Sequence, residues 1–460
     1  MIIPKHYKDK NIFIFGLGKD GLSALKAFNQ AEANVFLWDD NAEIRQNLLE
    51  QQTKFYNFNL TEPTECDWDN IDAVILSPGV PFTHPEPAEI VVIAQKHNVR
   101  ITCTVEIFFE TVTDCKIVGV TGTNGKSTTT ALLHHIIKYC GQKCELGGNF
   151  GIPILDLEHL PENSIYVIEL SSYQLDLLDK FTCDIAILLN ITPDHIARHG
   201  SFEGYVNSKK KIFNNMDKRS TAIIGFDNEN TKQIYSEEVQ KQVIGRVFPI
   251  SGTTPLANGV FVIGSLCHNM IDYLPNTEIL GDLNNLPGKH NAENIAAAYA
   301  AGIILSLSES EIIKAIKNFP GLIHRMQYIG EIANIKFIND SKATNAESTE
   351  QALEYYTNIY WIAGGSAKEG GISELSKYFY KIKKAYFIGD SAEEFAEFAE
   401  LHQLNNMISK KLFAAIHDAF RESLQNNEPS VILLSPSAAS FDQYKNFEER
   451  GNEFIELYNN

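Results

Sequence analysis

A glycine-rich turn between an apolar strand and a helix constrains this chain more than any other feature. It reads Gly119-Val-Thr-Gly-Thr-Asn-Gly-Lys-Ser127, and a helical run that ends near Tyr139 follows it. Backbone amides of such a turn bind phosphate oxygens, its lysine contacts the β- and γ-phosphates, and its hydroxyl suits Mg²⁺. The glycines stand at 119, 122 and 125, so the usual GxxxxGK[ST] spacing is not kept. The turn still predicts a nucleoside triphosphate site in a parallel α/β sheet.

A second glycine cluster, Gly16-Leu-Gly-Lys-Asp-Gly21, follows the apolar strand Asn11–Phe15 and precedes a helical run that begins near Leu22. The next predicted strand ends at Asp39. This context is typical of a turn that binds a nucleotide diphosphate at a helix N-terminus. An NAD-dependent dehydrogenase is therefore an open alternative for this segment, and so is a glycine turn without a ligand.

The strand–turn–helix pattern starts three times along the 460 residues. At roughly 150 residues per domain, that length also suggests about three domains. We predict an α/β protein with a Rossmann-like N-terminal domain over 1–104, a central P-loop ATP-binding domain with a mostly parallel sheet over 105–319, and a Rossmann-like C-terminal domain over 320–460. Because ligands bind at the carboxyl ends of strands in such sheets, polar residues that follow the strands are candidate site residues.

The composition excludes several classes of protein. A formal net charge of −19 argues against a general nucleic-acid binder, which needs a basic face. No apolar stretch approaches the ~18 residues of a membrane span, and the first residues lack the pattern of a signal peptide. The seven cysteines have no regular spacing, and Cys140 and Cys144 with His134 and His135 do not complete a metal pattern. We expect a cytoplasmic protein without a nucleic-acid or membrane partner.

Some side chains allow a structural and a functional interpretation. Glu169 closes a predicted buried strand, a costly place for a carboxylate unless it is paired or binds a metal such as Mg²⁺. From the pattern alone, the lysines at 209–211 form a solvated helix face, and Asn291 and Asn294 form an N-cap box. The Asp-His pair at 194–195, taken alone, is more often a loop hydrogen bond than a ligand.

The phosphate turn and several other stretches resemble the Mur ligases and their relative folylpolyglutamate synthase. These ATP-dependent enzymes join an amino acid to a carboxylate, and the resemblance covers essentially the whole chain. The matching stretches are Thr121–Ser127, Gly147-Gly-Asn-Phe-Gly151, Glu169-Leu-Ser-Ser-Tyr-Gln174, Asn190-Ile-Thr-Pro-Asp-His195, His290-Asn-x-x-Asn294 and Gly321-Leu-Ile-His-Arg325.

Two stretches, Asn339–Asn345 and Ser435–Gly451, are similar to the branch of the family that adds D-glutamate to UDP-N-acetylmuramoyl-L-alanine. The resemblance implies an acyl-phosphate intermediate made with ATP, two Mg²⁺ sites, no NAD, and a role in the cytoplasmic stage of peptidoglycan synthesis. We expect a monomer. A family member that adds a different amino acid, a dehydrogenase and a non-enzymatic nucleotide-binding scaffold stay open as alternatives.

The resemblance also implies residues for ATP and the metal. Lys126, Glu169, His195 and Lys209 are implied to be catalytic, with Ser127, Glu169 and His195 at the metal ions. Lys209 would join the metal ligands if it is carbamoylated, since this change turns an ammonium into a carboxylate. The implied ATP-binding residues are Gly122, Thr123, Asn124, Gly125, Lys126, Ser127, Thr128, Asn291, Asn294, Arg325 and Asp340.

The other two substrates are assigned by the same resemblance. The residues implied for UDP-N-acetylmuramoyl-L-alanine are Gly18, Lys19, Asp20, Asp39, Ser77, Pro78, Gly79, Asn149, Gln174 and His195. The residues implied for D-glutamate are Lys342, Thr344, Lys368, Ser440, Phe441 and Phe447, the last through its backbone amide.

Three expectations qualify these assignments. Asp40-Asn41 stands where relatives have Thr-Arg, which removes a cation near the uracil. Phe441 and Phe447 would be core residues by pattern alone. Because the implied ligands are spread over all three domains, we expect the third domain to close on the other two during catalysis.

Overall fold

The computed structural model describes residues 1–52, 57–273, 275–281, 283, 285–286, 288, 290–367, 370–426 and 428–459. The chain forms two compact units. The first comprises Met1–Gly281 and Lys289–Asn318, and the second comprises Asp282–Gly288 and Phe319–Asn460. Among the helices of the described residues, none combines the length and the apolar character needed to cross a membrane.

The N-terminal sheet of the first unit is built from strands that alternate with helices. Their bounds are β1 Asn11–Phe15, α1 Lys19–Gln30, β2 Asn34–Trp38, α2 Ala42–Gln52, β3 Asn59–Leu60, β4 Ala73–Leu76, α3 Glu89–Lys96 and β5 Arg100–Thr102. The strands are all parallel, in the order β3-β2-β1-β4-β5. Every residue of β4 is buried, as expected of a strand that is covered on both faces.

The second sheet follows α4, which spans Thr104–Thr111. Its elements are β6 Lys116–Thr121, α5 Lys126–Tyr139, β7 Cys144–Gly148, β8 Ile165–Glu169, α6 Ser172–Asp176, β9 Ile185–Leu188, α7 Ile196–His199, α8 Phe202–Lys210, β10 Thr221–Gly225, α9 Glu229–Lys241, β11 Arg246–Ser251, β12 Val260–Ile263, β13 Leu266–Asn269, β14 Asn276–Ile279, α10 His290–Ile304 and α11 Glu309–Lys317. The strand order is β14-β13-β12-β11-β10-β9-β6-β8-β7, and only the β12–β13 and β13–β14 pairs are antiparallel.

The second unit contains the third sheet. Its elements are β15 Gln327–Ile332, β16 Ile335–Asn339, α12 Ala346–Tyr355, β17 Ile359–Gly364, β18 Ile382–Ile388, α13 Ala392–Leu401, β19 Asn406–Lys410, α14 Leu412–Asn426, β20 Ser430–Leu434 and α15 Phe447–Asn459. The strand order is β15-β16-β20-β17-β18-β19, and only β15 runs antiparallel to its neighbour. Short 3-10 helices in the two units span Lys5–Tyr7, Pro63–Glu65, Trp68–Asn70, Ile154–Asp156, Lys211–Phe213, Ile271–Tyr273 and Ser373–Lys381.

Strand register brings the candidate residues of the central sheet to one edge. Val120 of β6 pairs with Glu169 of β8, and Thr121 pairs with Leu188 of β9. The carboxyl ends of these three parallel strands therefore lie side by side, and the phosphate turn, Glu169 and the segment after β9 share that edge.

The predicted α/β architecture with three mostly parallel sheets is confirmed. Several element bounds differ from the prediction. Helix α1 begins at Lys19 rather than near Leu22, because Gly18 is an extended N-cap and Asp20 suits the first turn of a helix. The apolar pattern predicts a strand over Ala385–Ile388, but β18 begins at Ile382, because Lys383 and Lys384 interrupt the apolar pattern without ending the strand. The domain boundaries at 104 and 319 stay a prediction.

Candidate active site

The phosphate turn connects β6 to α5, and its glycines are required by close packing. Gly125 has φ +83° and is the N-cap of α5. A Cβ atom at Gly125 would lie 2.1 Å from Oδ1 of Asn294, so a larger residue would displace the asparagine. The turn is therefore shaped both by its own backbone and by α10, on which Asn294 lies.

Two lysine ammonium groups converge on one carbonyl oxygen of this turn. Lys126 Nζ donates to the carbonyls of Gly122 at 2.9 Å and Thr123 at 2.7 Å. Lys209 Nζ donates to the same Gly122 carbonyl at 2.7 Å and lies 4.8 Å from the centre of the Tyr205 ring. The predicted catalytic lysines, 83 positions apart in the sequence, are thus brought together.

The interpretation of the lysine run as a solvated helix face is wrong for Lys209, whose exposed fraction is 1%. Burial, and then repulsion from Lys126, lowers the pKa of Lys209 to about 7, against the attraction of Asp194 and Glu169. The neighbouring lysines bind carboxylates instead. Lys210 pairs with Glu237 at 2.6 Å and Lys211 with Asp176 at 2.8 Å.

Glu169 ends β8 with a buried side chain. Its Oε1 accepts a hydrogen bond from Asn149 Nδ2 at 2.8 Å, while its Oε2 is buried and has no hydrogen-bond partner among the described residues. A buried carboxylate oxygen without a partner is costly, and a cation at that position would satisfy it. The orphaned oxygen therefore fits the predicted role of Glu169 at Mg²⁺.

His195 is the left-handed N-cap of α7, with φ +51°. Its Nε2 lies 3.3 Å from Asp194 Oδ2, its side chain is half exposed, and its ring packs against Tyr173 with centroids 5.1 Å apart. The described residues contain no group of three or more His, Cys, Asp or Glu side chains placed to hold a metal ion. Any Mg²⁺ here would take its remaining ligands from phosphate oxygens and water, as is usual for Mg²⁺ beside a nucleotide.

Asn291 and Asn294 lie on one face of α10, as predicted, but the N-cap interpretation is wrong because the helix already begins at His290. Asn294 Nδ2 donates to Asn291 Oδ1 at 2.9 Å, and Thr129 Oγ1 donates to Asn294 Oδ1 at 3.2 Å. The two amides therefore tie α10 to α5, the helix that follows the phosphate turn.

Asn190 is a functional candidate that the residue-by-residue assignment missed. Its Oδ1 accepts from the backbone amide of Asn124 at 2.9 Å, and its Nδ2 donates to Glu293 Oε2 at 2.8 Å. Burial raises the pKa of Glu293 to about 7. The sequence contained a signal for Asn190, since this residue begins one of the stretches that resemble the Mur ligases.

In the first sheet, Asp39 organises the glycine turn. Its Oδ2 accepts from the backbone amide of Leu17 at 2.7 Å, and its Oδ1 from that of Asn41 at 2.9 Å. Ser77 Oγ donates to the carbonyl of Gly16 at 2.8 Å and thereby joins the ends of β1 and β4. The predicted residues around this turn, including Gly18, Lys19, Asp20, Pro78 and Gly79, share the carboxyl edge of one sheet.

The guanidinium of Arg45 lies beside Asp39 and Asp40. Arg45, in α2, donates to both of their carbonyl oxygens, at 3.1 Å for Asp40, and its guanidinium lies 4.0 Å from the centre of the Trp38 ring. Arg45 thus supplies a cation at the end of β2 from α2, and the effect of Asp40-Asn41 on the uracil contacts stays a prediction.

Asn149 and Gln174 make contacts within the protein that the sequence did not predict. Asn149 binds Glu169, as described above. Gln174 is buried, and its Oε1 accepts from the backbone amide and the hydroxyl of Ser171, both at 2.9 Å, in a capping box at the start of α6. Both amides hold the loop after β8, so their predicted contacts with the UDP-linked substrate stay a prediction.

In the second unit, Asp340 follows β16 and is buried. Its Oδ1 accepts from the backbone amide of Met326 at 3.0 Å and its Oδ2 from Ser435 Oγ at 2.7 Å. Burial raises the pKa of Asp340 to about 7, in spite of these hydrogen bonds and the attraction of Arg325. Arg325 itself is exposed.

The residues predicted for D-glutamate lie near the same strand ends. Lys342 Nζ is 5.7 Å from the centre of the half-buried Phe447 ring, and Ser440 is buried. The core interpretation is wrong for Phe441, whose exposed fraction is 75%. Thr344 is half buried, and Lys368 lies outside the described residues.

Arg450, in α15, is a buried cation that the sequence assignment passed over. Its guanidinium donates to the Ser341 carbonyl at 2.9 Å, the Ala438 carbonyl at 3.1 Å and the Gly364 carbonyl at 3.3 Å, and its Nε to Ser341 Oγ at 3.0 Å. Burial lowers its pKa to about 10. Arg450 therefore connects the segments that follow β16, β17 and β20.

Three mostly parallel sheets and a glycine-rich phosphate turn define an α/β nucleotide-binding protein. The family model for the Mur ligase middle domain matches residues 120–302, and that for the Mur ligase glutamate ligase domain matches residues 324–438. The chain belongs to the Mur ligase family.

Several relatives share the name UDP-N-acetylmuramoylalanine--D-glutamate ligase. That of Rickettsia bellii is 43% identical over 456 residues and covers 98% of both chains. That of Wolbachia pipientis wMel is 41% identical over 506 residues, with 99% of this chain and 97% of the relative covered. That of Caulobacter vibrioides is 39% identical over 461 residues, with 99% and 96% covered.

Solved structures with the same fold are more distant in sequence. The UDP-N-acetylmuramate-alanine ligase MurC from Thermotoga maritima has a TM-score of 0.56 at 18% identity and covers 98% of this chain and 99% of that one. MurF from Acinetobacter baumannii has a TM-score of 0.55 at 18% identity, with 81% and 82% covered. At this identity the likeness supports the fold alone.

Proposed function

We propose that this chain forms an amide bond between the L-alanyl carboxylate of UDP-N-acetylmuramoyl-L-alanine and the amino group of D-glutamate, with conversion of ATP to ADP and inorganic phosphate. The observation that carries the proposal is the convergence of Lys126 and Lys209 on the Gly122 carbonyl of the phosphate turn. The names of the full-length relatives supply the substrates. The reaction belongs to the cytoplasmic stage of peptidoglycan synthesis, on which cell shape and division depend.

The proposed chemistry has two steps. A carboxylate oxygen of the substrate attacks the γ-phosphorus of ATP, the bond to the bridging oxygen breaks, and ADP leaves. The amine of D-glutamate then attacks the acyl carbon, loses a proton, and expels inorganic phosphate. Both steps bring anions together, so the ammonium of Lys126 and the backbone amides at the start of α5 lower the barrier by offsetting negative charge.

Magnesium fits the residues at the edge of the central sheet. Ser127 would offer a hydroxyl and Glu169 its unpartnered Oε2, with His195 near a second ion. When bound, Mg²⁺ supplies positive charge to the phosphate oxygens. The chain's own contribution is to hold these groups on adjacent strand ends, where Asn149 fixes the other oxygen of Glu169.

Carbamoylation of Lys209 is part of the proposal. Only the neutral amine adds carbon dioxide, and a pKa of about 7 leaves a large neutral fraction near neutral pH. The product would be a carboxylate, which removes the repulsion between Lys209 and Lys126 and offers oxygen ligands for a second Mg²⁺. Burial of the side chain would protect the modification from bulk water.

The remaining assignments follow the same proposal. The glycine turn of the first sheet, with Asp39 and Ser77, would bind the uridine diphosphate, while Asn291 would contact adenine and Asn294 would lie on the ATP side. Arg325 and Asp340 would serve ATP from the second unit. Lys342, Thr344, Ser440, Phe441 and the backbone amide of Phe447 would bind D-glutamate, whose two carboxylates require cations and N–H or O–H donors.

A substrate panel tests the proposal. Phosphate release is measured with ATP, Mg²⁺ and UDP-N-acetylmuramoyl-L-alanine in the presence of D-glutamate, L-alanine, meso-diaminopimelate or L-lysine. We expect release with D-glutamate alone. Release with one of the other amino acids would contradict the proposed substrate, and NAD binding without phosphate release would favour the dehydrogenase alternative.

A further inference from the structure

A buried chain of hydrogen bonds lies behind the candidate catalytic residues of the central sheet. His199 Nε2 is 3.0 Å from Ser172 Oγ, and His199 Nδ1 is 3.2 Å from Asp176 Oδ2. The other oxygen of Asp176 accepts from Lys211 Nζ at 2.8 Å. The order of groups is hydroxyl, imidazole, carboxylate and ammonium.

The arrangement has the connectivity of a catalytic triad, but burial excludes a nucleophile. The exposed fractions of Ser172 and His199 are 3% and 7%, so a substrate carbonyl would not reach the hydroxyl. The function of the chain of bonds must therefore be exerted on neighbouring residues rather than on a substrate.

The chain of bonds connects three helices, each of which carries or follows a candidate catalytic residue. Ser172 and Asp176 are the first and last residues of α6, which begins three residues after Glu169. His199 ends α7, for which His195 is the N-cap. Ser208 of α8, next to Lys209, donates to the carbonyl of Ser172 at 2.7 Å.

The surroundings of His199 favour one protonation state. Carboxylate Oδ2 of Asp176 can only accept, so Nδ1 must be the protonated nitrogen of a neutral ring and Nε2 then accepts from the Ser172 hydroxyl. Burial lowers the pKa of His199, with Arg198, His195 and Lys209 acting in the same direction and Asp176 opposing them. The ring is therefore neutral near pH 7.

We propose that His199 is a positioning residue, whose hydrogen bonds to Ser172 and Asp176 hold α7 against α6. Since Ser208 joins α8 to the carbonyl of the same Ser172, these bonds keep Glu169, His195 and Lys209 aligned. The proposal rests on the proposed function, because that function makes Glu169, His195 and Lys209 catalytic. The hydrogen bonds of His199 are observed independently of that function. Partners that orient the residues of a metal or phosphate site typically affect activity by about 10- to 100-fold.

The protonation state is tested without turnover. In protein labelled with ¹⁵N-histidine, the resonances of His199 are identified by their loss in His199→Phe. We expect a protonated Nδ1 and an unprotonated Nε2 at pH 8, and a change of this pattern in Asp176→Asn. An Nε2-protonated ring in the wild-type protein would overturn the proposed bonding.

The positioning role is tested by kinetics of His199→Phe, His199→Asn and Ser172→Ala, with His134→Phe as the matched control. His134 is a half-buried histidine on α5 whose Nε2 lies 3.3 Å from the Cys144 carbonyl. We expect kcat to fall about 10-fold or more in His199→Phe, less in His199→Asn, which keeps a donor toward Asp176, and KM for D-glutamate to stay unchanged. Melting temperatures are measured for all variants.

The two hypotheses fail in different ways. If the wild-type protein releases no phosphate with D-glutamate, the proposed function is wrong, and the ¹⁵N pattern still decides the bonding of His199. If the wild type is active and His199→Phe keeps the kcat of His134→Phe, the positioning role is overturned. A higher kcat in His199→Asn than in His199→Phe would show that the hydrogen bonds of His199 matter more than the space that its ring fills.

Discussion

Lys126 and Lys209 donate to the same carbonyl oxygen, that of Gly122, at 2.9 and 2.7 Å. Two ammonium groups on one acceptor repel each other, and this repulsion adds to burial in lowering the pKa of Lys209. A bound triphosphate would relieve the repulsion, as would conversion of Lys209 to a carbamate. The pair therefore links the phosphate turn to α8 through charge as well as through hydrogen bonds.

Replacement of Lys126 by alanine should remove the cation that offsets phosphate charge. We expect kcat to fall by more than ~100-fold, because phosphoryl transfer depends on such charge. Phosphate release under saturating substrates measures the effect. Lys138→Ala, in the last turn of the same helix, is the control and should keep normal activity. Near-normal turnover of Lys126→Ala would contradict the proposed mechanism.

The depressed pKa of Lys209 predicts a pH dependence of stability. Between pH 7 and the ordinary pKa of 10.5, the unfolded chain binds a proton at Lys209 that the folded chain does not. The free energy of unfolding should therefore rise with pH over this window, by at most about 1.4 kcal/mol per pH unit from this residue.

Urea denaturation in carbon dioxide-free buffer measures this slope in the wild type and in Lys209→Met. The variant should lose the contribution, and it should be more stable than the wild type at pH 7, where the buried cation is costly. Equal slopes in the two proteins would show that Lys209 keeps an ordinary pKa.

Glu169→Gln should separate catalysis from stability. The amide keeps the size of the side chain and a partner for Asn149, but it removes the charge of the unpartnered Oε2. We expect a loss of activity of about 100-fold or more at saturating Mg²⁺, with a melting temperature equal to or above that of the wild type.

Glu145→Gln, on the neighbouring strand β7, is the matched control for that change. It should leave both activity and melting temperature near the wild-type values. A Glu169→Gln protein that unfolds several degrees lower would mean that Oε2 has a stabilising partner in solution.

Arg450→Met should destabilise the second unit. The change leaves the Ser341, Gly364 and Ala438 carbonyls without this donor, at a cost of about 1–3 kcal/mol for each group that water does not reach. We expect a loss of about 3 kcal/mol in urea denaturation and a raised KM for D-glutamate. Arg421→Met removes an exposed guanidinium from its contact with the half-buried Asp418 and should change stability by less than about 1 kcal/mol.

Arg45→Ala tests the cation of the first sheet. Because Arg45 lies over Trp38 and binds the carbonyls of Asp39 and Asp40, its loss should raise KM for the UDP-linked substrate several-fold and leave KM for ATP unchanged. A parallel rise in both constants would point to a general loss of structure, which a melting curve would reveal.

Most of the architecture could be predicted because periodicity and glycine turns are local properties. The strand Asn11–Phe15 and the end of the helix Lys126–Tyr139 agree with the prediction to the residue. The core interpretation of Phe441 was wrong because a local apolar pattern does not reveal that the ring lies on an exposed loop.

The sequence by itself determined the phosphate turn, the parallel sheets and the family to which the chain belongs, because each depends on residues that are close together in the chain. Only the tertiary structure decided that Lys209 is buried against Gly122, that Arg450 connects three strand ends, and that Ser172, His199 and Asp176 form one chain of hydrogen bonds. Burial and long-range hydrogen bonds arise from strand register and helix packing. They change the pKa and the partners of a side chain in ways that a local pattern does not contain.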